Sequence, residues 1–252
     1  MNKLRPLLSL FAALLLAGCA ATPPLRGSND LGVVVERADG SLLLVEHSGN
    51  TVLGRVAGLG DLSHASVVFS RDGRYAYVFG RDGGLSKVDI LTGTLVARVV
   101  QSGNSIGGAI SQDGRLIAVS NYDPGGVRIF AADSLELLAD IPATALPDGK
   151  FSKVVGLADV PGQKFIFSLF DSDEIWLADV ADPRAPRLTR FESIGRAPYD
   201  ALITADGRYY LAGLFGEDGL ALLDLWHPER GVRKILGGYG RMQEMARRLK
   251  VP

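Results

Sequence analysis

A short turn motif recurs along the chain, and this repeat constrains the fold more than any other sequence feature. The frame Ser/Thr-x-Asp-Gly-Arg begins at Ser70, Ser111 and Thr204, and a degenerate copy begins at Val160. Successive glycines of the four copies lie 41, 48 and 45 residues apart. Asp-Gly between short apolar runs indicates a hairpin, because Gly accepts the positive φ that tight turns require. The chain is therefore predicted to consist of hairpins that repeat at a nearly fixed step.

Each copy of the motif predicts four short strands with no helix between them. The predicted strands, in chain order, are 32–36, 41–46, 52–56, 64–70, 75–80, 85–90, 95–100, 108–111, 116–121, 127–130, 135–141, 154–159, 165–170, 175–180, 187–191, 199–204, 209–214, 220–225 and 232–236. Four antiparallel strands every 40 to 50 residues or so indicate an all-β fold, a β-propeller with four-stranded blades. A β-sandwich is the structural rival, but it would not repeat its turn chemistry at a fixed step.

The predicted propeller is incomplete at its first blade. Residues 32–56 supply the second, third and fourth strands of that blade, and no innermost strand precedes them. Residues 237–252 contain a helix-prone stretch and no four-strand pattern that could close the ring. We expect about five blades of a larger propeller with an open ring, and a closed ring of five is the alternative.

Alternating strand direction divides the predicted loops between two faces. The Asp-Gly-Arg turns and the turns between third and fourth strands share one face, called here the turn face. The loops between blades and those between second and third strands share the other, called here the site face. The site-face loops are 58–64, 80–84, 101–107, 121–126, 142–153, 171–173, 192–200 and 215–219. We assign the turn face no catalytic role.

The N-terminus predicts export and lipid anchoring. Residues 1–5 are basic, and residues 6–17 form an apolar run too short for an ordinary membrane span. The run ends in Leu-Ala-Gly-Cys19, which resembles a bacterial lipobox, so 1–18 is predicted to be a lipoprotein signal peptide and Cys19 to be lipidated. An ordinary signal peptide with an incidental cysteine is the alternative. Residues 19–30 are predicted to form a flexible tether and residues 31–252 the propeller. The protein is expected in the periplasm, attached to the membrane only through its lipid.

Charge and cysteine content exclude several function classes. Without residues 1–18 the chain has 25 Lys+Arg against 28 Asp+Glu, which gives no indication of nucleic-acid binding. A single cysteine excludes a disulfide scaffold and a zinc-thiolate site within the chain. No Cys-x-x-Cys-His is present, so no covalently attached haem c is expected. No nucleophile elbow, zinc-protease motif or phosphate-binding loop is present either.

The site face collects the unusual side chains. His64 is predicted to begin an innermost strand and to reach the central axis, and a surface or hydrogen-bonded histidine is the alternative. Arg81 lies in a Gly-Arg-Asp-Gly-Gly loop whose small neighbours leave its guanidinium accessible, and a surface pair with Asp82 is the alternative. His47 and His227 are predicted to lie on the turn face without function. Basic groups around an imidazole suit an anionic, flat or metal-bearing ligand.

Residues 62–89 carry a family resemblance. They read LSHASVVFSRDGRYAYVFGRDGGLSKVD, which resembles the eight-bladed haem d1 domain of the periplasmic nitrite reductase. The whole chain, including its lipoprotein start and the segment Ser-Ile-Gly-Arg-Ala-Pro-Tyr-Asp at 193–200, is more specifically similar to the haem d1 biosynthesis lipoproteins, which lack the reductase's cytochrome c domain. The chain departs from the reductase at Ser-Ile-Gly-Gly-Ala-Ile, 105–110, where the reductase has a haem-binding arginine segment. Because members of this family are longer, the resemblance implies that several blades are missing.

The resemblance implies a ligand and roles for particular residues. Haem d1 or its tetrapyrrole precursor would be bound, with His64 as iron ligand or nearby acid/base and Arg81 against a ring carboxylate. Further residues expected at the rim of the ligand are Lys153, Arg196, Tyr199 and Asp200. The implied activity is a late maturation step, an oxidation of the ring or a side chain, with nitrite reductase and other haem d1 maturation proteins as partners. Two alternatives remain: a non-catalytic carrier of haem d1, and a lipoprotein scaffold for protein assembly.

Overall fold

Strands and turns make up nearly all the regular structure of the computed structural model, which describes residues 28–238. The signal peptide 1–18, the lipidation site Cys19, most of the tether and the segment 239–252 lie outside the described residues. The last three tether residues form a 3-10 turn, Ser28–Asp30. Asp30 accepts hydrogen bonds from the backbone and hydroxyl of Ser48, so the predicted tether is fixed to the first sheet at its end.

The strands form five antiparallel sheets in chain order. The first sheet contains β1 (Leu31–Glu36), β2 (Ser41–Glu46) and β3 (Thr51–Val56). The second contains β4 (Ser66–Phe69), β5 (Tyr75–Phe79), β6 (Gly84–Asp89) and β7 (Thr94–Val100). The third contains β8 (Asn104–Ile110), β9 (Leu116–Asp123), β10 (Val127–Ala131) and β11 (Leu137–Ile141). The fourth contains β12 (Val154–Val160), β13 (Lys164–Leu169), β14 (Glu174–Asp179) and β15 (Arg187–Phe191). The fifth contains β16 (Pro198–Ile203), β17 (Tyr209–Leu214), β18 (Leu220–Asp224) and β19 (Val232–Ile235).

The propeller prediction is confirmed, and three strands begin two or more residues from their predicted starts. One is β11, which begins at Leu137 rather than at residue 135 because Leu135 has a φ of 59°. The other two are innermost strands. The second sheet begins at Ser66 rather than at residue 64, because a local turn over residues 61–64 occupies the positions before it. The third sheet's innermost strand begins at Asn104 rather than at residue 108. Strand periodicity did not predict this extension, because the register between β8 and β9 shifts around Ser105 and Gly107.

Hydrophobic layers between consecutive sheets hold the arc together. Each of four buried clusters joins one sheet to the next: first to second, second to third, third to fourth and fourth to fifth. The largest fully buried side chains in these layers include Leu42, Phe79, Phe165, Phe167, Trp176 and Tyr210. Each such side chain contributes about 1.5–3 kcal/mol by leaving water, so the interfaces between blades fix the positions of the loops on both faces.

The turn face repeats one hydrogen-bond pattern three times. The hydroxyl of Ser70 donates to the carboxylate of Asp72 at 2.5 Å, and that carboxylate also accepts the backbone N–H of Arg74. Equivalent bonds join Ser111, Asp113 and Arg115, and again Thr204, Asp206 and Arg208. These aspartates therefore serve their own hairpins.

The ring is open within the described residues. No strand pairing joins the first sheet to the fifth in residues 28–238, and β1 is paired only with β2. The first sheet has three strands, as predicted, because no innermost strand precedes β1 in this part of the chain. In residues 28–238 no helix has the length and apolar character needed to cross a membrane.

Candidate functional site

The loop between β5 and β6 is a tight glycine turn that presents Arg81. The backbone N–H of Gly80 donates to the carbonyl of Gly84 at 2.8 Å, and Gly83 has a φ of 77°. A Cβ at Gly83 would collide with the backbone of Ser102, so the turn requires glycine there. The backbone N–H of Arg81 donates to the carbonyl of Asp61 at 2.7 Å, which fixes this turn beside the loop that carries His64.

Arg81 is a cation on the site face whose side chain has no ion pair within residues 28–238. The expected surface alternative, a pair with Asp82, is wrong, because the Asp82 carboxylate binds the Arg98 guanidinium at 2.6 Å and the backbone N–H of Gly84. In residues 28–238 no hydrogen bond or ion pair engages the Arg81 side chain, which is half-buried. A half-buried guanidinium that no carboxylate of residues 28–238 binds within 4 Å is suited to an incoming carboxylate.

His64 lies in the turn before β4, with its imidazole exposed. The Asp61 carboxylate accepts the backbone N–H of Ser63 at 2.8 Å and shapes this turn. Hydrogen bonding from Ser63, more than the nearby Arg81 charge, holds the pKa of Asp61 below its usual range. No polar partner of the His64 ring occurs in the described part of the chain. The expectation that His64 begins an innermost strand is wrong by two residues, but its place on the site face is as predicted.

Two tyrosines on the site face join non-adjacent sheets. The hydroxyls of Tyr122, in β9, and Tyr199, in β16, are 2.8 Å apart, so the third and fifth sheets meet across the start of the fourth. Burial, and next the hydrogen bond to Tyr199, raise the pKa of Tyr122, so this phenol stays neutral at physiological pH. Arg81 and Asp200 act on the same phenol with smaller opposing effects. Arg81, Tyr122, Tyr199 and Asp200 therefore share one electrostatic environment.

An aromatic cluster extends from this tyrosine pair. The Tyr199 ring lies edge-on to Phe170 with centroids 5.6 Å apart, and Phe215 lies 5.8 Å from Tyr199 and 6.2 Å from Phe170. Sequence reasoning included Tyr199 and missed Phe170 and Phe215. Both phenylalanines directly follow second strands, β13 and β17, so their position at the site-face end of a strand was a signal that could have found them.

The remaining predicted rim residues lie on the same face but differ in whether their charges are paired within the described residues. Lys153 binds the Asp171 carboxylate at 2.9 Å and its ammonium lies 5.3 Å from the Phe170 ring centroid. Arg196 is exposed, and its side chain has no ion pair within 4 Å in residues 28–238. Asp200 is also exposed. Lys153 is thus partly neutralised, whereas Arg196 carries an accessible charge.

A cavity of about 380 Å³ opens beside Tyr122. It lies between the β9–β10 loop and the segment 142–153, and both belong to the site face. The lining residues are Tyr122, Asp123, Pro124, Leu146, Asp148, Gly149, Lys150, Phe151, Lys153 and Asp171. Its charged groups pair locally, Lys150 with Asp148 and Lys153 with Asp171, so this cavity is less cationic than its lysines suggest.

The other histidines lie apart from these groups. His47 is exposed and lies in the turn after β2, and His227 pairs with Glu229 before a 3-10 turn, Pro228–Arg230. No group of three or more His, Cys, Asp or Glu side chains suited to a free metal ion occurs within residues 28–238.

Comparisons with known proteins agree on one family. The model of the family described as "Cytochrome D1 heme domain" matches residues 26–252. Protein NirF of Pseudomonas aeruginosa is 65% identical over 99% of this chain, and Protein NirF of Stutzerimonas stutzeri is 64% identical over 99%. The chain spans 64% of the length of each of these two curated relatives.

A solved structure supports the same fold. The dihydro-heme d1 dehydrogenase NirN, solved in complex with DHE, superposes with a TM-score of 0.71 at 28% sequence identity. The match covers 87% of this chain and 46% of the NirN chain.

Proposed function

The chain belongs to the cytochrome D1 heme domain family, and from that membership we propose that it binds a d1-type tetrapyrrole on its site face and takes part in a late step of haem d1 maturation for nitrite reductase. The similarity to Protein NirF over nearly the whole chain supports this assignment. The observation that carries it concerns two site-face loops that the bond from the Arg81 N–H to the Asp61 carbonyl joins. One loop carries the Arg81 guanidinium, which has no ion pair within residues 28–238, and the other carries the exposed imidazole of His64. Together they offer one cation and one nitrogen ligand on the same face.

Arg81 is the proposed carboxylate clamp. A d1-type macrocycle is flat and rimmed by carboxylates, and a guanidinium binds a carboxylate through two parallel hydrogen bonds. Since Asp82 is held by Arg98, the Arg81 charge does not have to break an existing ion pair to bind a ligand. Partial burial strengthens the interaction, because less water competes for the guanidinium.

His64 would hold the iron of the bound tetrapyrrole or carry a proton beside the ring. A tetrapyrrole supplies four nitrogen ligands to its iron, so a single imidazole is what the protein needs to add. Neutral imidazole can coordinate iron through one ring nitrogen or take up a proton near neutral pH. The exposed His64 ring has no competing hydrogen bond in the described residues, so it fits either role.

Four further residues would line the rim of the ligand. Arg196 contributes an accessible positive charge, and Tyr199 contributes a hydroxyl already oriented by Tyr122. Lys153 is a weaker carboxylate ligand, because Asp171 neutralises part of its charge. Asp200 would accept hydrogen bonds from the ligand's polar substituents.

The proposed maturation step is an oxidation of the macrocycle or of a side chain. Removal of two hydrogens from a side chain releases two electrons and two protons, so an external electron acceptor is required. The likeness to a structure named dihydro-heme d1 dehydrogenase supports this class of step. We further propose that Cys19 anchors the protein by lipid in the periplasm, where it would meet nitrite reductase and the other maturation proteins.

The test is turnover by the complete protein. Purified protein is incubated with the tetrapyrrole precursor and a chemical electron acceptor, and the spectrum and mass of the released macrocycle are followed. A mass lower by two hydrogens that depends on His64 supports the enzyme. An unchanged mass with tight binding would overturn the oxidation and indicate a carrier. Absence of any tetrapyrrole absorbance on the protein would overturn the binding proposal and indicate a scaffold.

A further inference from the structure

The aromatic cluster on the site face has an exposed member that the fold does not bury. Phe215 is 78% exposed, although its ring contacts both Tyr199 and Phe170. A single exposed apolar side chain is ordinary on a protein surface. Three contacting rings that end in an exposed phenylalanine form a continuous apolar surface, and such a surface on a functional face indicates a ligand contact.

Backbone hydrogen bonds fix the loop that carries this ring before any ligand arrives. The N–H of Phe215 donates to the carbonyl of Ala197 at 2.9 Å, and the N–H of Gly216 donates to the carbonyl of Arg196 at 3.1 Å. The loop after β17 is thereby attached to the loop before β16. Tyr199 is held in turn by its bond to Tyr122. A pre-oriented apolar surface loses little entropy on binding, so it adds affinity efficiently.

The charges beside the rings select the kind of ligand. The ammonium of Lys153 lies against the Phe170 ring, and the Arg196 carbonyl accepts the bond that fixes the Phe215 loop, with its own guanidinium exposed. Asp171 partly neutralises Lys153, and Glu217 accepts the backbone N–H of Arg196, so the exposed Arg196 guanidinium is the main positive charge at this margin. An apolar surface with such a cation at its margin suits a molecule that is flat and apolar in the middle and anionic at its edge. A carboxylated macrocycle has this distribution, whereas an aliphatic or basic ligand does not.

We propose that Phe170, Tyr199 and Phe215 form an aromatic wall against which the flat face of the bound tetrapyrrole packs, with Phe215 as the main contributor to affinity among the three rings. This inference rests on the proposed function and adds residues to that site. Offset or edge-to-face contact between rings stabilises beyond the area it buries. Phe215 gains most from the contact because it has the most surface left to bury.

The experiment titrates purified haem d1 into the complete protein and follows the absorbance of the bound macrocycle. Phe215→Ser should raise the Kd about tenfold, because both the apolar area and the ring contact are lost. Phe215→Tyr keeps the ring and should stay within about twofold of the unaltered protein. Trp226→Ser is the matched control, since Trp226 is 60% exposed and lies after β18 on the turn face. It should leave the Kd unchanged.

The outcomes separate this inference from the proposed function. Binding by the unaltered protein with an unchanged Kd for Phe215→Ser would overturn the aromatic wall and leave the proposed function standing. An equal loss of haem d1 affinity in Phe215→Ser and Trp226→Ser would also overturn it, since the effect would then not depend on which face carries the aromatic side chain. No binding by the unaltered protein would overturn both. Circular dichroism of each variant checks that the propeller is intact, and exposed Phe215 should not alter it.

Discussion

The two faces of the propeller differ in how their polar groups are used. On the turn face, three copies of the Ser/Thr-x-Asp-Gly-Arg frame make the same hydrogen bonds, and each aspartate serves its own hairpin. On the site face the loops differ from sheet to sheet. In the described part of the chain they leave the Arg81 side chain without an ion pair and Phe215 exposed. The repeated turns, whose aspartates are hydrogen-bonded, therefore belong to the scaffold. The loops that differ between sheets and present side chains without partners in the described residues form the candidate site.

The largest expected effect comes from breaking the repeated turns. The double variant Asp72→Ala with Asp113→Ala removes the acceptors of the Ser70 and Ser111 hydroxyls and of two backbone N–H groups. These losses should lower the free energy of unfolding by about 2–3 kcal/mol in urea denaturation. Haem d1 affinity should not change.

A matched control tests whether the turns matter because of their hydrogen bonds. Asp39→Ala removes an exposed aspartate that lies outside the motif. It should leave the urea midpoint within error. If Asp39→Ala lowered the free energy of unfolding as much as the double variant does, the aspartate charge, and not the turn pattern, would stabilise the fold.

The next effect is on binding at the site face. Arg81→Gln removes a guanidinium that has no ion pair within residues 28–238, so haem d1 affinity should fall about tenfold to thirtyfold, the lower part of the range for a lost charge-assisted hydrogen bond. The urea midpoint should be unchanged, because Arg81 has no side-chain partner in the described residues. Titration by absorbance measures the first quantity and denaturation the second.

Arg115→Gln is the control for that variant. Its side chain is 83% exposed and belongs to a turn-face repeat. We expect full affinity for haem d1. Equal weakening in Arg81→Gln and Arg115→Gln would mean that net charge, and not the position of Arg81, controls binding.

The smallest effect is a pH dependence of stability from the turns. The hydroxyl of Ser70 holds the pKa of Asp72 below its usual range, and that of Thr204 does the same for Asp206. A pKa lowered by folding adds stability above the unfolded value, which is near 4, and that stability is lost as the pH falls through the folded value. The urea midpoint should therefore decrease below about pH 4.

Substitution identifies the source of this acid sensitivity. The double variant Asp72→Asn with Asp206→Asn lacks both carboxylates. Between about pH 5 and pH 3 its urea midpoint should therefore change less than that of the unaltered protein, and the remaining change should come from the other acidic groups. An unchanged acid dependence in this variant would exclude the two turns as its source.

The fold was largely predictable because the repeat is local. Asp-Gly turns at a near-constant step define hairpins, and hairpins of four strands define blades. The start of β8 was missed because Asn104–Ile110 is glycine-rich and pairs irregularly with β9. The start of β4 was missed because a side-chain bond, Asp61 to the backbone of Ser63, forms a turn that strand periodicity does not report.

The site was predictable only in part because it depends on contacts between distant residues. The position of Arg81 followed from a glycine-rich loop, but its lack of a partner depends on Arg98, which binds Asp82. The hydrogen bond between Tyr122 and Tyr199 joins residues from non-adjacent sheets, and no local sequence pattern predicts it. Phe170 and Phe215 contact each other only because the fourth and fifth sheets pack side by side.

Hydrogen–deuterium exchange with and without haem d1 tests the division between the two faces most directly. The complete protein is labelled in both states and digested, and protection is compared across the peptides of each face. We predict slower exchange on binding in the loops 61–64, 80–84, 121–126, 192–200 and 215–219. The turns 71–74, 112–115 and 205–208 should exchange equally in both states. Protection confined to those turns, with the site-face loops unchanged, would contradict the account.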